Sequence, residues 1–380
     1  MQKRIFLSPP KLNGREIEFV NKAFEENWIA PCGPNLTAFE DEICRYNGIG
    51  YAVAMSSGTA AMHLALKYVG VEQGDTVFCS DLTFSGSCNP VLYQGARLVL
   101  IDSEEESFNM SPTALEKAFV SAQKSNELPR AVIIVDLYGQ SADYDKLLPI
   151  CEKYGVPVIE DAAEALGAEY KGKKCGKFGY ISVFSFNGNK IITTSGGGMA
   201  VSDDENATTK INFWANQSKE KANYYLHNEI GYNYRMSNIS AGIGRGQLIT
   251  IEENINRRKE IFEFYQKSFR NLPITMQPIL EGAKPNYWLS VLMIDDDCKT
   301  IPDDVINALE KDNIEARRAW NPMHCQPIFK DCEFFAHYDN ASVSRHVFDK
   351  GICMPSGSQM TQEDLERVTS AFIGAFNTKT

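Results

Sequence analysis

The feature that most constrains the fold is an alternation of short apolar segments with helical stretches between residues 51 and 202. The apolar segments predict seven strands, and most are separated by stretches with helical periodicity. Strands joined by helices pair in parallel through right-handed crossovers, with helices covering both faces of the sheet. We therefore predict an α/β fold with a large, mostly parallel sheet, whose strands lie at 51–55, 76–79, 98–101, 131–135, 156–160, 181–185 and 199–201.

A chain of 380 residues exceeds one average core, so we predict one large and one smaller domain. The alternating region belongs to the large domain, predicted over residues 51–235. Its last part, from residue 203, is polar and poorly periodic. Residues 1–50 form a predicted lead-in with a helix at 14–27. The segment 28–34, WIAPCGP, contains two prolines and a glycine and cannot continue a helix.

The C-terminal part of the chain predicts a smaller domain. Residues 236–280 connect the two domains through one long helix, predicted over 237–270. The smaller α+β domain then occupies residues 281–380. Its predicted elements are strands at 287–294 and 314–319, a helix at 302–311 and a last helix from 361.

Composition bounds the classes of function. The net charge is −11, which argues against nucleic-acid or membrane binding by bulk electrostatics but allows a local basic pocket for phosphates. No window approaches a membrane span, and the N-terminal residues lack the apolar region of a signal peptide. Ten cysteines without a C-x-x-C pair predict reduced thiols and a cytoplasmic protein, with no metal site.

Residues 184–198, FSFNGNKIITTSGGG, combine the end of a strand, one lysine and three glycines. Glycines permit a sharp turn or a close approach to a ligand. Burial at such a strand end would disfavour the ammonium form of Lys190 and free a nucleophilic amine. That amine could form a Schiff base with a carbonyl cofactor. The alternative is a hairpin lysine that points at water, and this stretch alone leaves both open.

Other polar and aromatic residues follow predicted strands, where parallel sheets bind ligands. The sequence SSGTAA at 56–61 opens a helix, so its amides could bind a phosphate or could simply be capped. Phe84 follows the next strand and could face a ligand or the core. Asp161 follows an apolar strand, and a buried carboxylate there needs a cationic partner, such as a protonated pyridine nitrogen. It could instead form a structural salt bridge or be an acid at the start of a helix.

Taken together and in this order, these segments resemble the sugar aminotransferases of the DegT/DnrJ/EryC1/StrS family over essentially the whole chain. The resemblance implies the fold-type-I architecture of enzymes that use pyridoxal 5′-phosphate (PLP). It implies that Gly58, Thr59 and Ser185 contact the phosphate and that Phe84 stacks on the pyridine ring. It also implies that Asp161 pairs with the ring N–H and that Lys190 is the catalytic, Schiff-base lysine.

The resemblance extends to the loop GYNYRM at 231–236, which in the family reaches the phosphate of the neighbouring subunit's cofactor. It therefore implies a homodimer with shared active sites and makes Asn233 a cofactor-binding residue. The chain departs from the family pattern at three places. Glu164, which we count among the cofactor-binding residues, stands where His or Gln is common, Ser195-Gly196 where Gly-Glu is common, and Asp136 where His often precedes Leu-Tyr-Gly.

Three segments resemble the subgroup that acts on UDP-4-keto-6-deoxy-N-acetylhexosamines: NKIITTSGGG at 189–198, PMHCQP at 322–327 and MPSGS at 354–358. The resemblance implies that L-glutamate donates an amino group to C4 of UDP-2-acetamido-4-keto-2,6-dideoxyhexose. We predict Ile29, Arg317 and His324 as substrate-binding residues, since Arg317 and Arg318 precede Trp320 and offer forked donors to a diphosphate. Both arginines could instead be surface charges and His324 a packed imidazole.

Four alternatives remain beside this function. The sugar substrate could be linked to dTDP or to GDP instead of UDP. A PLP-dependent sugar dehydratase shares the fold, but in those relatives a histidine replaces the lysine, which Lys190 argues against. A non-catalytic PLP-fold regulator is the last alternative, and the presence of both Lys190 and Asp161 makes it improbable.

Overall fold

The computed structural model describes residues 3–377. Within that range, each helix and strand has the following bounds. The helices are α1 (Arg15–Glu25), α2 (Pro34–Asn47), α3 (Gly58–Tyr68), α4 (Ser85–Tyr93), α5 (Pro112–Ser125), α6 (Tyr144–Tyr154), α7 (Glu205–Ala215), α8 (Asn238–Leu248), α9 (Ile251–Ser268), α10 (Pro302–Lys311), α11 (Val343–Lys350) and α12 (Gln362–Asn377). The strands are β1 (Tyr51–Met55), β2 (Thr76–Ser80), β3 (Arg97–Ile101), β4 (Ala131–Val135), β5 (Val158–Asp161), β6 (Glu169–Tyr170), β7 (Lys173–Lys174), β8 (Ile181–Ser185), β9 (Gly198–Ser202), β10 (Ile274–Met276), β11 (Ala283–Lys284), β12 (Ser290–Ile294), β13 (Arg317–Arg318), β14 (Glu333–Phe335) and β15 (Gly351–Met354).

The large sheet has eight strands in the order β1-β9-β8-β5-β4-β2-β3-β14. Strand β9 runs antiparallel to both of its neighbours, and the other seven strands point the same way. The predicted α/β fold with a mostly parallel sheet is confirmed. Strand β5 begins at Val158, two residues later than predicted, because Pro157 has no amide to donate to the sheet.

Helices cover both faces of this sheet, as the fully buried strand β4 shows. Its residues alternate between two cores. Ala131 and Ile133 pack in the core that contains α3 and α4, whereas Val132 and Ile134 pack in the core that contains α5 and α6. A strand buried on both faces is therefore apolar along its whole length. The polar residues of this sheet are consequently concentrated where the strands end.

A second, four-stranded antiparallel sheet lies in the C-terminal part, in the order β10-β12-β15-β13. Helices α9, α10 and α12 supply apolar residues to its core, including Tyr265, Leu309 and Phe372. Its strands are shorter than predicted. Strand β12 starts only at Ser290 because Tyr287 adopts a positive φ of 56°, which a strand does not accommodate. Of the predicted strand 314–319, residues 317–318 form β13.

Helices α2, α7 and α11 lie in stretches for which no helix is predicted. Pro34 was interpreted as a breaker, but it occupies the first turn of α2, where its missing amide is not needed. The buried residues Leu36, Phe39 and Ile43 then follow at helical spacing. Helix α7 lies in the stretch interpreted as poorly periodic. It is amphipathic, with Ala207, Ile211 and Trp214 buried.

The single helix predicted over 237–270 is wrong, because α8 and α9 are separate helices. Helix α8 packs against α1 and α2 through glycines. A Cβ added at Gly246 would lie 2.6 Å from the backbone of Glu16. Helix α9 instead buries Ile261, Phe262 and Tyr265 in the core of the smaller sheet. The chain passes from one core to the other along α9, since Ile251 at its start still packs in the core that contains Ala241 of α8. None of the described helices is long and apolar enough to cross a bilayer.

Candidate functional site

A cavity of about 320 Å³ opens at the edge of the large sheet where the parallel strands end. Its walls come from the segments that follow β1, β2, β5 and β8, and from two tryptophans of the C-terminal part. Parallel sheets bind ligands at this edge because the strand-to-helix turns converge there. Seven residues singled out from the sequence line the cavity: Gly58, Thr59, Phe84, Asp161, Glu164, Ser185 and Lys190.

Lys190 reaches the cavity from the turn between β8 and β9. Its Nζ lies 3.4 Å from Glu164 Oε1 and 4.0 Å from the centre of the Trp288 ring, and the side chain is 11% exposed. The turn itself is anchored, because the carbonyl of Asn189 accepts hydrogen bonds from Trp288 Nε1 at 2.6 Å and from Ser8 Oγ at 2.8 Å. The amine is therefore held inside the site and does not point at bulk water.

Asp161, the last residue of β5, is a buried carboxylate in the floor of the cavity. Ser87 Oγ donates to its Oδ2 at 2.7 Å, and the Ala163 amide donates to its Oδ1 at 3.1 Å. Burial raises the pKa of Asp161, while these two donors and the charge of Lys190 oppose the rise. A cationic group of a ligand placed against this carboxylate would favour its ionised form.

Glu164 is a second buried acid, placed between Lys190 and the backbone after β4. Its Oε2 accepts the Tyr138 amide at 2.7 Å. Burial raises the pKa of Glu164 to about 7, against the opposing effects of Lys190 and of the Tyr138 amide. Glu164 can therefore take up or release a proton near neutral pH beside the lysine amine.

The start of α3 offers an anion site. Ser57 caps the helix by accepting the Ala60 amide at 3.0 Å, and Gly58 and Thr59 of the first turn line the cavity. The first amides of a helix have no partner within it and lie at the positive end of its dipole. The backbone of β9 approaches this turn so closely that a Cβ on Gly198 would lie 2.3 Å from Gly58 N. Only glycine fits at position 198, where the backbone of β9 and the first turn of α3 together form a cradle for an anion such as phosphate.

Aromatic residues form a wall of the cavity. The ring of Phe84 is available to a ligand, since this residue is 65% exposed. Trp320 lies 6.0 Å from Phe84 and 6.1 Å from Trp288, measured between ring centres. The sequence analysis missed Ser87 and Trp288 as site residues. The strand-end rule that identified Phe84 could have found Ser87, three residues later, whereas no local signal marked Trp288.

Four predicted site residues do not line the cavity of the protomer. Ile29 is 53% exposed, and Asn233 is exposed with its backbone paired to Asn216. Arg317 is turned toward Glu315, with Nη2 2.8 Å from Oε1 and a side chain that is 71% exposed. His324 Nδ1 lies 2.7 Å from Asp81 Oδ2. The proposed roles of these four residues in binding substrate or a partner's cofactor stay predictions.

The residues that line the cavity fit PLP. A buried carboxylate with few donors suits a protonated ring nitrogen, a helix start suits a phosphate, an accessible phenyl ring suits a flat heterocycle, and a buried lysine suits an aldehyde. Gly198 leaves no side chain in the phosphate cradle. Each group needed by the cofactor is thus present in one cavity.

Comparison with known proteins gives a family profile and close relatives. The profile described as the DegT/DnrJ/EryC1/StrS aminotransferase family matches residues 10–373. The protein named "Putative pyridoxal phosphate-dependent aminotransferase EpsN" of Bacillus subtilis (strain 168) is 48% identical over 379 residues, which are 100% of this chain and 97% of that protein. The GDP-perosamine synthase of Caulobacter vibrioides is 34% identical, with 97% of each chain covered.

Two further similarities are informative. The UDP-4-amino-4,6-dideoxy-N-acetyl-beta-L-altrosamine transaminase of Campylobacter jejuni is 34% identical over 268 residues, 70% of each chain. Among solved structures, PseC of Helicobacter pylori, an aminotransferase involved in the biosynthesis of pseudoaminic acid, superimposes with a TM-score of 0.89 at 23% identity. That superposition covers 99% of this chain and 100% of PseC. At this identity the superposition shows a shared fold.

Proposed function

Since the chain belongs to the DegT/DnrJ/EryC1/StrS aminotransferase family, we propose that it transfers an amino group from L-glutamate to C4 of a UDP-linked 4-keto-6-deoxy sugar. The sugar we propose is UDP-2-acetamido-4-keto-2,6-dideoxyhexose. The chain is a PLP-dependent sugar aminotransferase. The observation that carries the chemistry is one cavity in which the amine of Lys190, the buried carboxylate of Asp161 and the start of α3 meet.

The cofactor would be held by residues already described. Gly58 and Thr59 at the start of α3, together with Ser185, would bind its phosphate, and Phe84 would cover its ring. When bound, PLP supplies an electron sink for the negative charge that develops at the α-carbon of the amino donor. Asp161 holds a proton on the ring nitrogen, because an ionised carboxylate buried there stabilises the positive charge.

Lys190 is the group that moves the reacting proton. Its Nζ accepts the proton from the α-carbon of glutamate in one half-reaction and delivers a proton to C4 of the sugar in the other. Glu164, 3.4 Å away, positions the amine and stabilises its charged form. Trp288 lies against the same amine and excludes water from it. These contacts keep Lys190 inside the cavity through both half-reactions.

The UDP-linked substrate is tested by competition. Purified enzyme is given L-glutamate and a mixture of UDP-, GDP- and dTDP-linked 4-keto-6-deoxy sugars, and the products are separated by mass. We expect kcat/KM to favour the acetamido UDP-sugar by on the order of 10²-fold, because a site built to hydrogen-bond a group rejects a ligand that lacks it. Preference for a sugar without the acetamido group would overturn the substrate and leave the aminotransferase activity standing.

The second candidate substrate is a GDP-linked keto-sugar. One observation favours it: GDP-perosamine synthases match this chain over nearly its full length, whereas the UDP-sugar transaminase matches over 70% of it. The three segments at 189–198, 322–327 and 354–358 support the UDP-sugar instead. The same competition separates the two candidates directly, since the nucleotide is read from the mass of the product.

We further propose that two copies form a homodimer with shared active sites. The loop that carries Asn233 leaves it outside the cavity of its own protomer. The segment between α7 and α8, which ends with this loop, exposes large apolar residues, with Tyr225 79% exposed and Ile230 76% exposed. Exposed apolar side chains clustered in one loop are typical of an interface. This arrangement supports a loop that reaches the cofactor phosphate of the partner.

Mixed dimers test the shared site. A Lys190→Ala protein is mixed with an Asn233→Ala protein under conditions of subunit exchange. Random pairing should restore about a quarter of the wild-type activity, since half of the dimers are mixed and each has one intact site. Arg235 is unsuitable for this test, because its Nη1 pairs within the protomer with Glu40 Oε1 at 2.7 Å. Absence of rescue after verified exchange would contradict sharing.

A further inference from the structure

A second group of reactive side chains lies outside the cavity, in the short 3-10 turn Met323–Cys325. Cys325 Sγ is 3.2 Å from His324 Nε2, and His324 Nδ1 is 2.7 Å from Asp81 Oδ2. Cys325 is half-buried and has no part in amino transfer as derived above. A nucleophile, a base within hydrogen-bond distance and a third group that orients the base are the components of an activated nucleophile.

Asp81 determines which nitrogen of His324 carries the proton. This carboxylate is fully buried and also accepts hydrogen bonds from the His324 amide, at 2.8 Å, and from Ser344 Oγ. Because both oxygens of this carboxylate already accept hydrogen bonds, the contact at 2.7 Å assigns the donor role, and therefore the hydrogen, to Nδ1 of His324. The other ring nitrogen, Nε2, then presents its lone pair to the thiol. Stacking on Phe334, with 4.1 Å between ring centres, holds the imidazole in this orientation.

A cation also contacts the sulfur. Arg345 Nη1, on α11, lies 3.6 Å from Cys325 Sγ. The same guanidinium is held by Asp349, whose Oδ2 is 2.9 Å from Nε. Cys325 Sγ thus has a proton acceptor at 3.2 Å and a guanidinium at 3.6 Å, the two kinds of group that assist attack by a cysteine sulfur.

We propose that Cys325 is a modification site that reacts with low-molecular-weight disulfides by thiol–disulfide exchange. The thiol proton passes to His324 Nε2, and Sγ attacks one sulfur of the disulfide. A Cys325–sulfur bond forms as the bond between the two reagent sulfurs breaks, and the departing thiolate takes the proton from Nε2. Cys325 is oxidised to a mixed disulfide, and one half of the reagent is reduced to a free thiol, so no further oxidant is needed.

The site adjoins the wall of the cavity without belonging to it. The Met323 amide donates to the backbone carbonyl of Asp81 at 2.9 Å, which joins the turn to the segment that carries Thr83 and Phe84 into the cavity. Trp320, three residues before Met323, lines the same cavity. A modification of Cys325 would therefore lie next to the wall of the cavity that carries Phe84 and Trp320, and not at Lys190.

The test is a time course with oxidised glutathione on the cofactor-loaded enzyme, followed by peptide mass spectrometry of each cysteine. Cys32 is the internal control, because it is exposed in the same chain. We expect Cys325 to acquire glutathione about tenfold faster than Cys32, although it is less exposed. Equal or slower reaction at Cys325 would overturn the proposal, and this comparison needs no variant protein.

A His324→Gln variant tests the role of the imidazole. Glutamine keeps a polar side chain but cannot accept the thiol proton as imidazole does. We expect the reaction at Cys325 to slow about tenfold and the reaction at Cys32 to stay unchanged. A general loss of structure would instead accelerate the buried cysteines, such as Cys151 and Cys353. An unchanged rate at Cys325 in the folded variant would exclude activation by His324.

Discussion

Replacing Lys190 by alanine should abolish amino transfer, with kcat reduced by on the order of 10³-fold or more. Among the described residues that line the cavity, Lys190 carries the only amine, so no other amine there can take over the proton. Glu164 is the nearest other proton acceptor, but its Oε2 is held by the Tyr138 amide and only Oε1 contacts the position of the amine, so we expect it to support a small part of the rate at most. The measurement is the rate of amino-sugar formation with L-glutamate.

Two comparisons make the Lys190 result specific. Lys124→Ala removes an exposed lysine at the end of α5 and should keep the wild-type rate. A small primary amine added to Lys190→Ala should restore part of the activity, because it can occupy the space left by the side chain and accept the proton. If Lys190→Ala retained a rate within about tenfold of the wild type, another base would have to be sought.

The second large effect is expected from Asp161→Asn, with kcat lowered by on the order of a hundredfold or more. Asparagine has the same shape, but it lacks the charge that keeps the ring nitrogen protonated. Ser87 Oγ can rotate to accept from the new amide, and the Ala163 amide can still donate to the remaining oxygen. The fold should therefore tolerate the change, and steady-state rates with L-glutamate measure the effect.

Because Asp161 is buried, the thermal stability of the Asp161→Asn variant serves as a control for its loss of activity. Because burial raises the pKa of Asp161, its charged form is costly in the absence of ligand. The midpoint of thermal unfolding of cofactor-free Asp161→Asn should thus equal or exceed that of the wild type while turnover falls. Near-normal turnover would move the role to another acid. Glu160 is not available for it, since its carboxylate accepts Phe178 N at 2.7 Å and Ser182 Oγ at 2.7 Å away from the cavity.

The local pattern of the chain predicts seven of the eight strands of the large sheet and the residues at its edge, but not β14, which joins the sheet from the C-terminal part. Apolar segments of three to five residues can bury both faces in a mostly parallel sheet covered by helices, and all seven predicted strands form in it. The polar residues that interrupt these segments fall at strand ends. Gly58, Asp161, Ser185 and Lys190 therefore meet in one cavity, as the strand order brings their turns together.

Pro34 shows where one local signal allows two outcomes. A proline ends a preceding helix but also fits the first turn of a following one, since neither position needs its amide. Burial of Phe39 and Ile43 against the large domain decides for the helix. Packing also distinguishes α8 from α9, since α8 and the start of α9 pack in the core that contains Phe39, whereas the later residues of α9 pack in the core of the smaller sheet.

The sequence by itself determined which side chains lie at the sheet edge, because backbone hydrogen bonding and alternating burial depend on neighbours in the chain. Only the tertiary structure decided which distant residues complete the site. Trp288 contacts Lys190 from the C-terminal part, and His324, also in that part, binds Asp81, which lies 243 positions earlier. Such contacts depend on how the smaller sheet packs against the larger one, and no period or spacing in the sequence encodes that distance.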